Sequence, residues 1–183
     1  MDKKRIYIVL LPDILLLDVA GPAEVFTYAN RFSESVFELQ FVGPEPRVTG
    51  SSGMQIMAGP LPETVPADSW ILLPGLLGLQ LDFDSPGMQQ TIQWISRHRQ
   101  VEKLISVCAG ALLLAKAGLL SQRQCTTHHC HLDELQGIDS STRVLRDRLF
   151  VQDGNLYTSA GVTAGIDLAL HLVQQECGAA CAA

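Results

Sequence analysis

The sequence predicts an α/β sandwich, with a mainly parallel sheet and helices on both of its faces. Three observations carry that expectation. Several short Ile/Val/Leu runs are apolar throughout rather than alternating, as strands buried on both faces are. Helical stretches fall between these runs, and strands alternating with helices build a parallel sheet. Lastly, several strands stop abruptly in small residues, at Pro74-Gly75, Cys108-Ala109-Gly110 and Ser159-Ala160-Gly161. Open α/β sheets bind ligands outside such carboxyl ends.

Taken in order, Arg5 to Leu11 reads as the first strand. A basic start followed by apolar residues suggests a signal peptide, but Pro12, Asp13 and Asp18 interrupt the apolar region and no small-residue cleavage site closes it. Gly21 and Pro22 mark a turn, with Pro22 at the first position of a helix over Ala23 to Phe32. Phe37 to Val42 is a second strand, and Val48 to Ile56, split by Gly50-Ser51-Ser52-Gly53, a small hairpin. Trp70 to Leu73 is a third buried strand. Gln89 to Arg99 is an amphipathic helix whose basic end, Arg97-His98-Arg99, suits the negative end of its dipole. Leu104 to Val107 is a strand that turns into a helix over Ala111 to Ala117. A short strand over Cys125 to Thr127 and a helix near Leu132 follow. Arg148 to Val151 and Leu156 to Thr158 pair across Asp153-Gly154-Asn155. The last helix, Gly165 to Gln175, carries Ile166, Ala169, Leu170 and Val173 at core spacing.

Composition bounds the function. At 183 residues the chain is expected to form one domain, 1–183, with a full core. A net charge of -6 leaves no basic footprint for nucleic acid, and no recognition-helix pattern is present. No apolar run reaches the length of a membrane span, so no membrane partner is expected. Five cysteines, an odd number without regular spacing, point to a reducing, cytoplasmic setting rather than a disulfide framework.

The candidate site centres on Cys108. Small residues at Ala109, Gly110 and Ala111 place it at a strand-to-helix elbow, the position a nucleophilic serine holds in α/β hydrolases. A helix N-terminus favours thiolate over thiol, so Cys108 is expected to be the most acidic of the five cysteines. Cysteine is also among the most buried residue types, and a packing role stands beside the reactive one. Asp18 offers a carboxyl from another strand end, or else no more than a helix cap. A carboxyl, a thiol and spare backbone N–H groups in one cleft suit attack on an electrophilic carbon. His128-His129-Cys130-His131 has the side chains of a metal site, but the spacing matches no standard zinc pattern. No metal and no cofactor are expected.

LLDVAGPAEVF (Leu16 to Phe26), ILLPG (Ile71 to Gly75), SVCAGALLLAKAGLL (Ser106 to Leu120), TTHH (Thr126 to His129) and TSAGVTAGIDLALHLV (Thr158 to Val173) resemble, in this order, the ThiJ/PfpI family of the class I glutamine amidotransferase-like superfamily. The likeness covers nearly the whole chain and is greatest to the N-terminal domain of AraC/GlxA-type transcriptional regulators. It implies a flavodoxin-like three-layer sandwich, with Cys108 at the elbow and a cleft formed by Asp18, Gly21, Gly75, Leu76, Cys108, Ala109 and His128. It implies a ligand-sensing and dimerisation domain that binds a small-molecule effector, forms a homodimer, and reaches DNA only through a C-terminal helix-turn-helix domain absent from this chain. Isocyanide hydratases share the aspartate matching Asp18 and the cysteine matching Cys108, so an enzyme using both as catalytic residues is the alternative. Beside a thiolate, Asp18 would be partly protonated, because two anions repel. Two departures matter. Where proteolytic and deglycating members carry histidine after the nucleophile, Ala109 stands here, and where the family ends a strand Pro-Gly-Gly, this chain has Pro74-Gly75-Leu76.

Overall fold

The computed structural model describes residues 3–33, 36–78 and 81–183; Met1 and Asp2, which open the basic N-terminal stretch, lie outside them. The first half of the chain runs β1 (Lys4–Val9), α1 (Leu16–Phe32), β2 (Phe37–Gly43), β3 (Arg47–Thr49), β4 (Gln55–Met57), β5 (Gly59–Pro60), β6 (Trp70–Leu73) and α2 (Pro86–Arg97). The second half runs β7 (Lys103–Val107), α3 (Gly110–Lys116), β8 (Gln124–Cys125), a 3-10 turn (His129–His131), α4 (Leu132–Ile138), β9 (Arg143–Val144), β10 (Phe150–Asp153), β11 (Leu156–Ser159), α5 (Ala164–Cys177) and α6 (Ala179–Ala182).

Among the described residues, seven strands form the main sheet in the order β10-β11-β7-β6-β1-β2-β5. Every pairing is parallel except the β10–β11 hairpin at one edge. Helix α1 packs on α5 and α2 on α3, which makes the two outer layers of a flavodoxin-like sandwich. All residues of β6 and β7 are buried, because both faces of a central parallel strand are covered. Lys103 is tolerated there since its ammonium meets Glu102 at 3.0 Å and Glu176 at 2.9 Å and lies 4.4 Å from the Trp70 ring centroid. Between sheet and α1, Phe26, Phe37 and Trp70 form an aromatic cluster with centroids 5.1, 5.5 and 5.9 Å apart.

Three sequence expectations change. Helix α1 begins at Leu16, so Pro22 lies inside it rather than at its start. The earlier start is fixed from outside: Leu15 N–H donates to the Gly75 carbonyl at 2.9 Å, and Asp18 N–H closes the first turn on the Leu15 carbonyl. Helix α5 turns Gly165, Leu168, Ala169, Leu172 and Val173 inward; Leu170 is 36% exposed, and Ile166 sits on the flank facing α1. Thr126 and Thr127 leave the short strand β8, which pairs with β9 outside the main sheet.

Phe26→Ala should cost about 3–5 kcal/mol, the usual loss for truncating a fully buried phenylalanine. Urea unfolding is expected to show a lower midpoint at unchanged slope; an unaltered midpoint would remove the aromatic cluster from the account of stability.

Candidate functional site

The site forms where three strands end. Cys108 follows β7 with φ of 55°, a left-handed conformation that costs a cysteine free energy and persists only when neighbours impose it. They do. Cys108 N–H is shared between the Ser159 and Ala160 carbonyls, both at 3.2 Å, and Thr127 Oγ1 donates to the Cys108 carbonyl at 2.7 Å. Thr158 Oγ1 accepts from Thr126 N–H at 2.9 Å, so the TTHH and TSAG segments clamp the elbow from behind. On the other side α3 comes close to the end of β6: a Cβ at Gly110 would run into the Leu73 carbonyl oxygen.

Asp18 arrives from the first turn of α1 and is wholly buried beside the thiol. Its Oδ2 accepts from Gly75 N–H at 3.1 Å, and Oδ1 has no hydrogen-bond partner among the described residues. Gly75 has no substitute here. A side chain would collide with Asp18 Oδ2 and lie 2.7 Å from Cys108 Cβ and 3.1 Å from its Sγ.

Burial raises the Asp18 carboxyl from the ordinary 3.8 to about 6, opposed by the Gly75 N–H and more weakly by the Cys108 thiol, which approaches without completing a regular hydrogen bond. Cys108 is pushed up to about 12, first by burial and then by the Asp18 charge. The N–H groups of Ala109 and Val162 pull the other way. The helix-end effect read from the sequence is therefore present but outweighed, and at neutral pH the pair is a carboxylate beside a thiol. This corrects the expectation of a thiolate. α3 has only seven residues, and Cys108 is 3% exposed.

A cleft of about 430 Å³ opens onto the thiol, lined by Leu15, Leu76, Leu77, Gly78, Cys108, His128, Cys130, His131 and Val162. Cys108, Leu76 and His128 thus line one space, whereas Ala109 and Gly75 are not among its lining residues; Gly75 N–H instead holds Asp18. Asp18 lies behind the thiol and reaches a ligand only through it. Gly21 is placed elsewhere: it packs on Ile166 at the α1–α5 interface, where a Cβ would lie 2.8 Å from Cγ1. Its small size serves helix packing, not the cleft. Val162, with φ of 50°, is the contributor that motif reading overlooked, and its neighbours Ala160 and Gly161 were the available signal. The His128 ring rests against Gly161, and burial lowers its pKa, helped by the nearby His129 and His131.

An elbow cysteine in left-handed backbone, an acidic residue from the first helix and a parallel sheet between helices agree with a match to the DJ-1/PfpI family model over residues 4–175. The chain belongs to the DJ-1/PfpI family. Among similar proteins is an isonitrile hydratase from Pseudomonas putida, 35% identical over 95% of this chain and 72% of its own length. The transcriptional regulator GbdR from Pseudomonas aeruginosa is 31% identical over 97% of this chain, which spans 48% of that protein. Among solved structures, a ThiJ/PfpI protein from Pseudomonas syringae matches with TM-score 0.81 and 26% identity over all of this chain and 74% of its own. An AraC-family regulator from Pseudomonas putida matches with TM-score 0.81 over 98% of this chain and 95% of its own; at 21% identity it speaks for the fold alone. The similar proteins thus include both an enzyme and a regulator.

Two measurements follow from the Asp18–Cys108 pair. Because the folded pKa of Asp18 lies above its unfolded value, the stability it brings is complete below pH 3.8 and lost as pH rises through about 6. The shift corresponds to on the order of 3 kcal/mol, so Asp18→Asn should be more stable than wild type by up to that amount at pH 8. Denaturation across pH 4–8 is expected to show this advantage shrinking toward pH 4; a constant difference would refute it. The second measurement is iodoacetamide labelling at neutral pH. Exposed Cys130 should react before Cys108, and Asp18→Asn should speed labelling of Cys108 by removing the charge that holds its proton.

Proposed function

We propose that this domain senses a small molecule in the Cys108 cleft as part of an AraC-type transcriptional regulator. The observation that carries the reading is the state of the nucleophile position. Cys108 is held as a buried thiol, and Ala109 supplies no base to activate it. A group in that state packs against a ligand and accepts its shape without attacking it at neutral pH. The cleft offers what recognition needs: leucine walls at Leu15, Leu76 and Leu77, with the His128 and His131 imidazoles as polar points. Similarity to GbdR and to the regulator CdhR, each of which this chain spans to about half its length, supports the same reading. DNA contact would belong to another region of such a protein, since this domain carries a net charge of -6. A homodimer belongs to this proposal, because a regulator of paired half-sites needs two copies.

A hydratase is the second reading, favoured by the 35% identity to isonitrile hydratase. The Asp18–Cys108 pair holds one acidic proton between a nucleophile and a carboxyl, the equipment needed to add to an electrophilic carbon and protonate it.

The two readings part in one experiment. Wild type, Cys108→Ser and Asp18→Ala are incubated with a panel of isocyanides and small aldehydes, and with amino-acid-derived polar compounds in thermal-shift assays. The sensor reading expects a stabilising ligand but no product by mass spectrometry. Affinity should change only a few-fold in Cys108→Ser and at least tenfold in Asp18→Ala, which removes the carboxylate that orients the thiol. Isocyanide turnover by wild type that disappears in Cys108→Ser would replace the sensor with the hydratase.

A further inference from the structure

We propose that His128, His129 and Cys130 bind one borderline-soft divalent metal ion, of the zinc class, at the mouth of the Cys108 cleft. One ligand atom from each of the three residues already lies within 4.8 Å of the others. A tetrahedral ion with Zn–N of about 2.0–2.1 Å and Zn–S of about 2.3 Å holds its ligand atoms roughly 3.5 Å apart. Closing the remaining ångström or so asks only for side-chain rotation, since His129 and Cys130 are exposed. Two imidazoles and a thiol are the donors that select zinc-class ions over magnesium or calcium.

The backbone explains how adjacent residues converge without a standard zinc spacing. Such patterns separate their ligands because side chains on a regular helix or strand diverge from one residue to the next. Here the chain reverses in a 3-10 turn over His129–His131, with His128 at its entry. Cys130 N–H donates to His128 Nδ1 at 3.3 Å, and that bond draws Cys130 back beside the first ring. Nδ1 has a single lone pair, so an ion bound there would replace this hydrogen bond, which at 3.3 Å is long and weak. The His128 and His129 rings are 4.2 Å apart. His131 is not a ligand in this arrangement: its Nδ1 is taken by Glu134 at 2.8 Å and its ring centre lies 6.3 Å from that of His128.

His128 and Cys130 also line the cleft that ends at Cys108. Three protein ligands leave a fourth position, which water or a ligand's donor atom would complete. The site stands whether the cleft senses its ligand or converts it.

Untagged, full-length protein is titrated with Co2+ in a thiol-free reducing buffer, followed by visible and near-ultraviolet absorption. The expected result is saturable 1:1 binding with a thiolate-to-cobalt charge-transfer band, release of one proton per ion from the Cys130 thiol, and displacement by Zn2+. Cys130→Ser should abolish the band and, like His129→Ala, weaken binding at least tenfold, whereas Cys108→Ser leaves band and affinity unchanged. Circular dichroism checks that each variant is folded. Absence of saturable binding by wild type overturns the proposal. So does a band that survives Cys130→Ser or disappears in Cys108→Ser, and so does His129→Ala binding as tightly as wild type.

Discussion

The hydrogen bond from Gly75 N–H to Asp18 Oδ2 is the tie on which the rest of the site depends. It joins the first turn of α1 to the end of β6, next to the end of β7, so three segments distant in sequence meet at one point. Companion bonds run beside it, from Leu15 N–H to the Gly75 carbonyl and from Leu77 N–H to the Asp13 carbonyl. Together they hold the loop after β1 against the loop after β6. The junction tolerates almost no added volume: Gly75 faces Asp18 and Cys108 directly, and Gly110 faces the Leu73 carbonyl. Close packing around a buried carboxyl also sets its chemistry, because among the described residues the carboxyl has one backbone donor and one oxygen without a partner.

That chemistry is a contest between two effects of unequal size. Backbone N–H groups at the elbow favour an anionic sulfur, while desolvation and the Asp18 charge oppose it, and the opposing pair prevails. A buried pair of acids this close carries one negative charge at neutral pH, and the carboxyl takes it. The same two side chains therefore suit two tasks. With the proton on sulfur they form a fixed wall for a ligand; with the proton moved to oxygen they would form a nucleophile and an acid.

Several motif residues act on the backbone rather than on a ligand. Thr127 holds the Cys108 carbonyl, Thr158 holds Thr126 N–H, and Ser159 and Ala160 share Cys108 N–H. Without these bonds a cysteine at φ of 55° would relax toward the right-handed region. TTHH and TSAG thus hold the elbow in its left-handed conformation from behind the site.

The sequence by itself determined the mainly parallel sheet, the succession of buried strands along the chain and the elbow at Cys108. These are local properties: apolar runs of strand length, helical periodicity between them, and small residues where the chain reverses. It also singled out Asp18, Gly75, Leu76 and His128 from motif resemblance. Only the tertiary structure decided which of them share a space. Gly21 and Asp18 stand three residues apart, close to one turn of α1, yet one meets Ile166 of α5 and the other Cys108. Pro22 inside α1 could not be foreseen, because the helix start is set by a bond to Gly75 across the sheet. Leu170 fits the apolar period of α5, but the face packed inward runs through Gly165, Leu168, Ala169, Leu172 and Val173 and leaves it outside. The proton on Cys108 is the deepest case. A sequence shows the helix that would draw it off, whereas burial and the neighbouring carboxylate that keep it in place exist only once the chain has folded.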